Sequence, residues 1–237
     1  MDKNKLSLLL PFRCVVFTLV FLIGAFVTGR SLNEISNIWS VVASLVNIAT
    51  ILLLVMVTKK NGGFATLIAY EKGKASPKQI VGMVLMIMLV GMGGMYLAGF
   101  ICYGVIPYGA PMLIAPIPLW LAILNALVLP ITTALAEEGI YLGCGVGQIK
   151  NQYASILVPA FFFALQHSFI PMLFDIKYII YRFLSFLPLT VILCWHYRKH
   201  RNPLPIMVGH AIIDVATVAQ ILATSAIPGF YEMMCGL

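Results

Sequence analysis

Five ionisable side chains stand inside apolar runs of the chain. They are Glu137 and Glu138 in LAEEGIYLG, His167 in FFFALQHSF, and His210 and Asp214 in VGHAIIDV. Ionisable groups within a bilayer are costly, face the bundle interior, and mark functional sites by default. A carboxylate beside imidazoles can take a proton from water and steady the oxyanion of a tetrahedral intermediate, the needs of peptide hydrolysis. Glu137, His167 and His210 could instead hold a zinc ion with an open fourth position. Singly, each would be a buried helix–helix hydrogen bond; their depths argue for more. Counted from the polar turns at Lys150, Tyr153 and Arg201, Glu137, His167, His210 and Asp214 lie ~20, ~21, ~14 and ~20 Å into their helices at ~1.5 Å per residue. His210 and Asp214, four apart, share a helix face, as do Phe163 and His167. Glu137 and Glu138 stand ~100° apart on an α-helix, so one can face a cavity while the other braces the helix.

The elements that must carry these residues are membrane helices. Of 237 residues, 61% are hydrophobic and 10% charged, with a mean hydropathy of +1.00. Soluble domains carry roughly 25% charged residues. The composition predicts an all-α, polytopic membrane bundle forming one transmembrane domain over 1–237. Apolar runs at 11–29, 38–58, 79–104, 155–172, 178–196 and 203–224 are each long enough to span. The run 113–149 exceeds one span and contains Pro130, so it is read as one broken or kinked helix. That gives seven spans, or eight if a further short segment crosses.

Charge orients the bundle. With the N-terminus in the cytoplasm, twelve Lys and Arg fall on the inner side and only Arg30, Lys177 and Arg182 on the outer side, as cytoplasmic loops require. Arg13 is counted among the inner loop charges. The excess of basic residues therefore implies a membrane orientation rather than nucleic-acid binding. The loop 59–78 carries FATLIAY, a segment suited to the membrane surface. The glycines of GMGGM and GCGVG suit close helix contacts; GCGVG follows no strand and is no dinucleotide loop. Five widely spaced cysteines offer neither a disulfide framework nor a CxxC metal site. His196 and His200 are four apart but sit in WHYRKHR, a basic interfacial anchor. Asn125, Thr132, Thr133 and Gln166 would line a cavity or bond backbone carbonyls, and Tyr141 is a candidate polar contact for Glu137.

EEGIYLG, FALQH and HAIID, in that order, resemble the three motifs of the CPBP (Abi) family of intramembrane proteases, which includes the CAAX prenyl endopeptidases. The resemblance covers 137–214, within a catalytic-helix region of 113–224. It implies that Glu137 with His167 activates a water. His210 and Asp214 would hold the oxyanion or complete the site, and Phe163 would stack beside His167. Glu138 would pair with the motif arginine; that position is Leu142. The family's description as metalloproteases implies zinc on Glu137, His167 and His210, although a metal-free glutamate mechanism would use the same residues.

The function expected is therefore an intramembrane endopeptidase. Its partners would be the lipid bilayer and a hydrophobic peptide or membrane-protein substrate, with no nucleic acid. Its place would be a bacterial plasma membrane. An alternative is a non-catalytic scaffold of the same fold, such as a bacteriocin-immunity or peptide-binding protein, which Leu142 favours. A third reading, a transporter with a proton relay, would call for an internal repeat or paired broken helices, and the sequence shows neither.

Overall fold

A computed structural model describes residues 3–106 and 108–236 and, of the first three of these, the backbone alone. Among the described residues the chain is helical, with no strand beyond one isolated bridge between Phe169 and Met172. The α-helices are α1 (Phe12–Thr28), α2 (Leu32–Ser36), α3 (Trp39–Thr58), α4 (Gly63–Leu67), α5 (Pro77–Tyr103), α6 (Leu119–Glu137), α7 (Ala154–Gln166), α8 (Ile176–His200), α9 (Leu204–Ala226) and α10 (Phe230–Cys235). Six helical stretches are long and apolar enough to cross a membrane, and α7 is a shorter apolar helix beside them. The chain is a multi-pass membrane protein; six of the seven expected spans are helices of crossing length among the described residues, and the seventh, α7, is shorter.

Around the bundle, α3 packs on α6, α6 on α9, α9 on α5, α5 on α8 and α8 on α7. The first helix, α1, closes the circuit between α7 and α3. Two larger apolar clusters fill the interior, beside a smaller one of Ala98, Ala110, Tyr178 and Tyr181. One joins Leu6, Leu10, Leu54, Leu67, Tyr141, Phe163 and Ile206 at the end near Lys150. The other joins Phe17, Phe21, Trp39, Leu129, Met172 and Val218 toward the opposite end. Along the chain the buried Arg13, Glu137, His167 and His210 lie between residues of the two, Leu10 and Phe17, Leu129 and Ile140, Phe163 and Ile170, and Ile206 and Val218. Close approach depends on small residues: a Cβ on Gly94 of α5 would collide with the Ser185 carbonyl of α8.

Three local features differ from the sequence reading. The run 113–149 starts its helix only after Pro118, carries Pro130 within α6, and changes register at Glu138 into π-helical turns over Glu138–Val146. The expected span 155–172 stops at Gln166. Three-residue turns follow (His167 N–H donates to Ala164 O), then Ile170–Pro171, and the residue before a proline is disfavoured in the helix. FATLIAY is drawn partly into the bundle: Leu67 and Ile68 are buried and meet the π-helical turns at Gly143, while Ala65, Thr66 and Tyr70 are exposed.

Candidate active site

The junction of α6 and its π-helical extension places two consecutive carboxylates in the bundle. A π-turn bonds i to i+5 and often marks a functional site; the Gly147 N–H accordingly donates to Leu142 O at 2.7 Å. Glycine makes the widened helix packable: a Cβ on Gly145 would come within 2.7 Å of Pro159 and 2.9 Å of Leu10.

Glu137 and Glu138 both reach His210, at different ring nitrogens. Glu138 Oε1 accepts from His210 Nδ1 at 2.8 Å, and Glu137 Oε2 lies 3.7 Å from Nε2. Asp214, one turn along α9, brings Oδ2 to 3.8 Å from the same Nε2. A carboxylate on Nδ1 fixes that nitrogen as a donor and leaves Nε2 for chemistry. Three carboxylate oxygens (Glu137 Oε2, Glu138 Oε2 and Asp214 Oδ2) are buried without a hydrogen-bond partner among the described residues. In native interiors most buried polar atoms are paired, so the orphans mark a place built for another polar group.

His167 caps α7. Its Nδ1 donates to the Phe163 carbonyl at 2.8 Å, and its ring stacks on Phe186 at 3.6 Å. Phe163 lies near both imidazoles, 5.9 Å from His167 and 6.1 Å from His210 between ring centroids, and stacks on Tyr141 at 4.5 Å. Among the described residues no ion pair joins His167 to Glu137. Glu137, Glu138, His210 and Asp214 thus form one cluster, and His167 borders it across Phe163. Glu137 is 2% exposed and Glu138 fully buried, whereas the Asp214 side chain is 19% exposed. The open side of the cluster is at Asp214.

Two buried arginines were counted in sequence as loop charges, and both assignments are corrected. Arg13 is fully buried and donates to Glu137, Gln166, Asn47 and Thr50. Arg182 is 5% exposed and donates to the carbonyls of His167 and Ile170. Removing them leaves eleven basic residues against two, so the bias stands. In the structure the first apolar helical stretch runs from Leu6 to Thr28, which puts Arg13 inside it. Tyr141 does not reach Glu137; its hydroxyl donates to Gln166 Oε1 at 3.0 Å. Asn125 accepts from Ser44, and Thr133 accepts from Asn47.

The residues are not arranged as the expected zinc triad: His167 stands across Phe163 from His210, and among the described residues no three His, Cys, Asp or Glu are grouped to hold a metal. No step below runs through a metal.

A polytopic helical membrane protein with carboxylates and imidazoles gathered between its apolar clusters is the class that fold and site define. Residues 118–216 match the Rce1-like family, described as type II CAAX prenyl endopeptidase Rce1-like, in agreement with the resemblance drawn from the three motifs. The match includes Glu137, Glu138, Phe163, His167, His210 and Asp214, and leaves out α1 to α5. Neither a curated protein nor a solved structure matches the chain.

Proposed function

We propose that the protein is an intramembrane endopeptidase that hydrolyses a peptide bond in a hydrophobic, membrane-associated peptide or protein. The observation that carries this is the meeting of Glu137, Glu138 and Asp214 on one imidazole, within the segment that matches a family of proteases. The substrate carbonyl enters past Asp214. Glu137 Oε2 takes a proton from water as the water oxygen bonds to the carbonyl carbon. His167, whose Nδ1–H is committed to Phe163, offers Nε2 as the acceptor that orients this water. Glu138 holds the Nδ1–H of His210, so that Nε2 of a protonated ring can donate to the oxyanion, and Asp214 lines the same place. Collapse of the intermediate breaks the C–N bond, and Glu137 returns its proton to the leaving amine. By the bias of basic residues, the end carrying Lys59, Lys150 and Arg201 faces the cytoplasm.

A second reading has one observation behind it. Glu137 already carries a cationic partner, as a structural clamp in a peptide-binding scaffold would. Hydrolysis in ¹⁸O-labelled water separates the two. Purified protein in liposomes is given a library of hydrophobic peptides, and products are read by mass spectrometry. The peptidase reading expects one ¹⁸O in each new C-terminal carboxylate, lost with Glu137→Ala. Peptide bound and recovered intact across the library favours the scaffold.

A further inference from the structure

We infer that Arg13 is a positioning residue of this site, supplied by α1 in place of the arginine that the second-glutamate motif lacks at Leu142. The inference rests on the function proposed above and names what holds its base in place.

The guanidinium has five N–H donors in a fixed fork, and four bonds are made from it. Nε donates to Gln166 Oε1 at 2.6 Å, and Nη1 to Thr50 Oγ1 at 3.3 Å. Nη2 donates to Asn47 Oδ1 at 2.8 Å and Glu137 Oε1 at 3.0 Å. Its carbon lies 5.1 Å over the Phe17 ring. One side chain thus ties α3, α6 and α7 together from α1. Position 142 could not do this here, because Leu142 is fully buried in the apolar cluster with Leu67 and Leu193.

The partner has changed along with the source. The motif arginine is expected on the second glutamate, yet that carboxylate, Glu138, is held by His210, and the arginine from α1 holds the first. By fixing Oε1 of Glu137, Arg13 determines where Oε2 points, and Oε2 is the oxygen 3.7 Å from His210. Arg13 itself is fully buried, away from the open side at Asp214, and does not touch substrate. Lysine cannot reproduce the role: an ammonium is a point charge, whereas the planar fork addresses several acceptors at once. It follows that α1, outside the family match, is a working part of the site.

The test has two arms. In the first, protein labelled with ¹⁵N-arginine is studied by NMR in detergent, and the Arg13 guanidinium signal is assigned by its loss in Arg13→Lys. The inference expects a solvent-protected Nε–H whose shift moves in Glu137→Gln and in Gln166→Leu, and stays in place in Asp214→Asn. A signal that exchanges freely, or that Glu137→Gln leaves unmoved, overturns it. This arm needs no substrate, and beyond the assignment by Arg13→Lys its readout comes from variants of other residues, so it stands whether or not the chain is a protease. In the second arm, cleavage is measured per folded molecule. Displacing a reacting group by about 1 Å costs on the order of 100-fold, so Arg13→Lys is expected to lower kcat by about that factor with KM unchanged. A merely structural arginine would lower the folded yield and leave kcat per folded molecule intact, and that result overturns the inference. Cleavage that survives Glu137→Ala would instead sink the assignment of Glu137 as the base, with the NMR arm still deciding the placement of Arg13.

Discussion

The bond between Glu138 and His210 sets the orientation of the ring at the centre of the cluster, and its strength can be worked from its surroundings. Glu138 is fully buried, His210 is 9% exposed, and their contact is 2.8 Å. Interhelical hydrogen bonds in membrane proteins average ~0.6 kcal/mol. Hydrogen bonds to charged groups reach about 1.5–3 kcal/mol, because a buried carboxylate deprived of its donor has no water to replace it. Charge, short distance and burial place this pair in the upper range, at about 2 kcal/mol of coupling. The perturbation is a double-mutant cycle of Glu138→Ala and His210→Ala, read from unfolding in detergent. The cycle removes each residue's own packing contribution and leaves the pair term. Sites that do not interact add to within about 0.5 kcal/mol, so a coupling below that value would refute the assignment of Glu138 as the holder of His210. The conservative variant Glu138→Gln keeps an acceptor on Nδ1 and loses the charge. Partners of this kind support function by about 10–100-fold at metal-bound histidines, and a loss of cleavage in that range with stability largely kept is expected here.

Three further outcomes follow. Gly145→Val puts a Cβ within 2.7 Å of Pro159 and 2.9 Å of Leu10; overpacking of this kind costs about 1–3 kcal/mol, which a lowered unfolding temperature in detergent would show. Arg182→Met removes the donors to the carbonyls of His167 and Ile170. If local stability falls by about 2 kcal/mol, amides of 167–173 should exchange about 30-fold faster, with the far end of the bundle unchanged. Elemental analysis of purified wild type should find well under one zinc per chain, since among the described residues no three His, Cys, Asp or Glu are grouped to hold a metal; stoichiometric zinc lost in His210→Ala would show that the cluster rearranges around a metal.

The spans were legible because a 20-residue apolar run has few other uses, and α1, α3, α5, α8 and α9 follow their runs closely. The meeting of Glu137, Glu138, His210 and Asp214 was legible in part. Matching depth and a shared face on α9 predicted convergence, but a regular helix sets Glu137 and Glu138 ~100° apart and gave no sign that both would reach one imidazole. The π-turns at Glu138 are a property of packing against Leu54, Leu67 and Pro159 through small residues, and no local pattern announces them. Arg13 was misplaced because one charge near the start of an apolar run reads equally as an anchor at the interface or as a residue inside the bundle. Its partners Asn47, Thr50, Glu137 and Gln166 lie 34 to 153 residues away in sequence, so only the fold chooses. The stop of α7 at Gln166 likewise depends on Arg182, 15 residues beyond His167.

The most direct measurement of the central claim compares wild type with Glu137→Gln on one cleaved membrane peptide, at matched amounts of folded protein in liposomes. Glutamine keeps the size of the side chain and an oxygen for Arg13, and removes the proton acceptor. The account predicts that wild type cleaves and Glu137→Gln falls by at least the ~10²-fold lower bound for a positioned general base, with peptide binding retained. Cleavage by Glu137→Gln at the wild-type rate would contradict it.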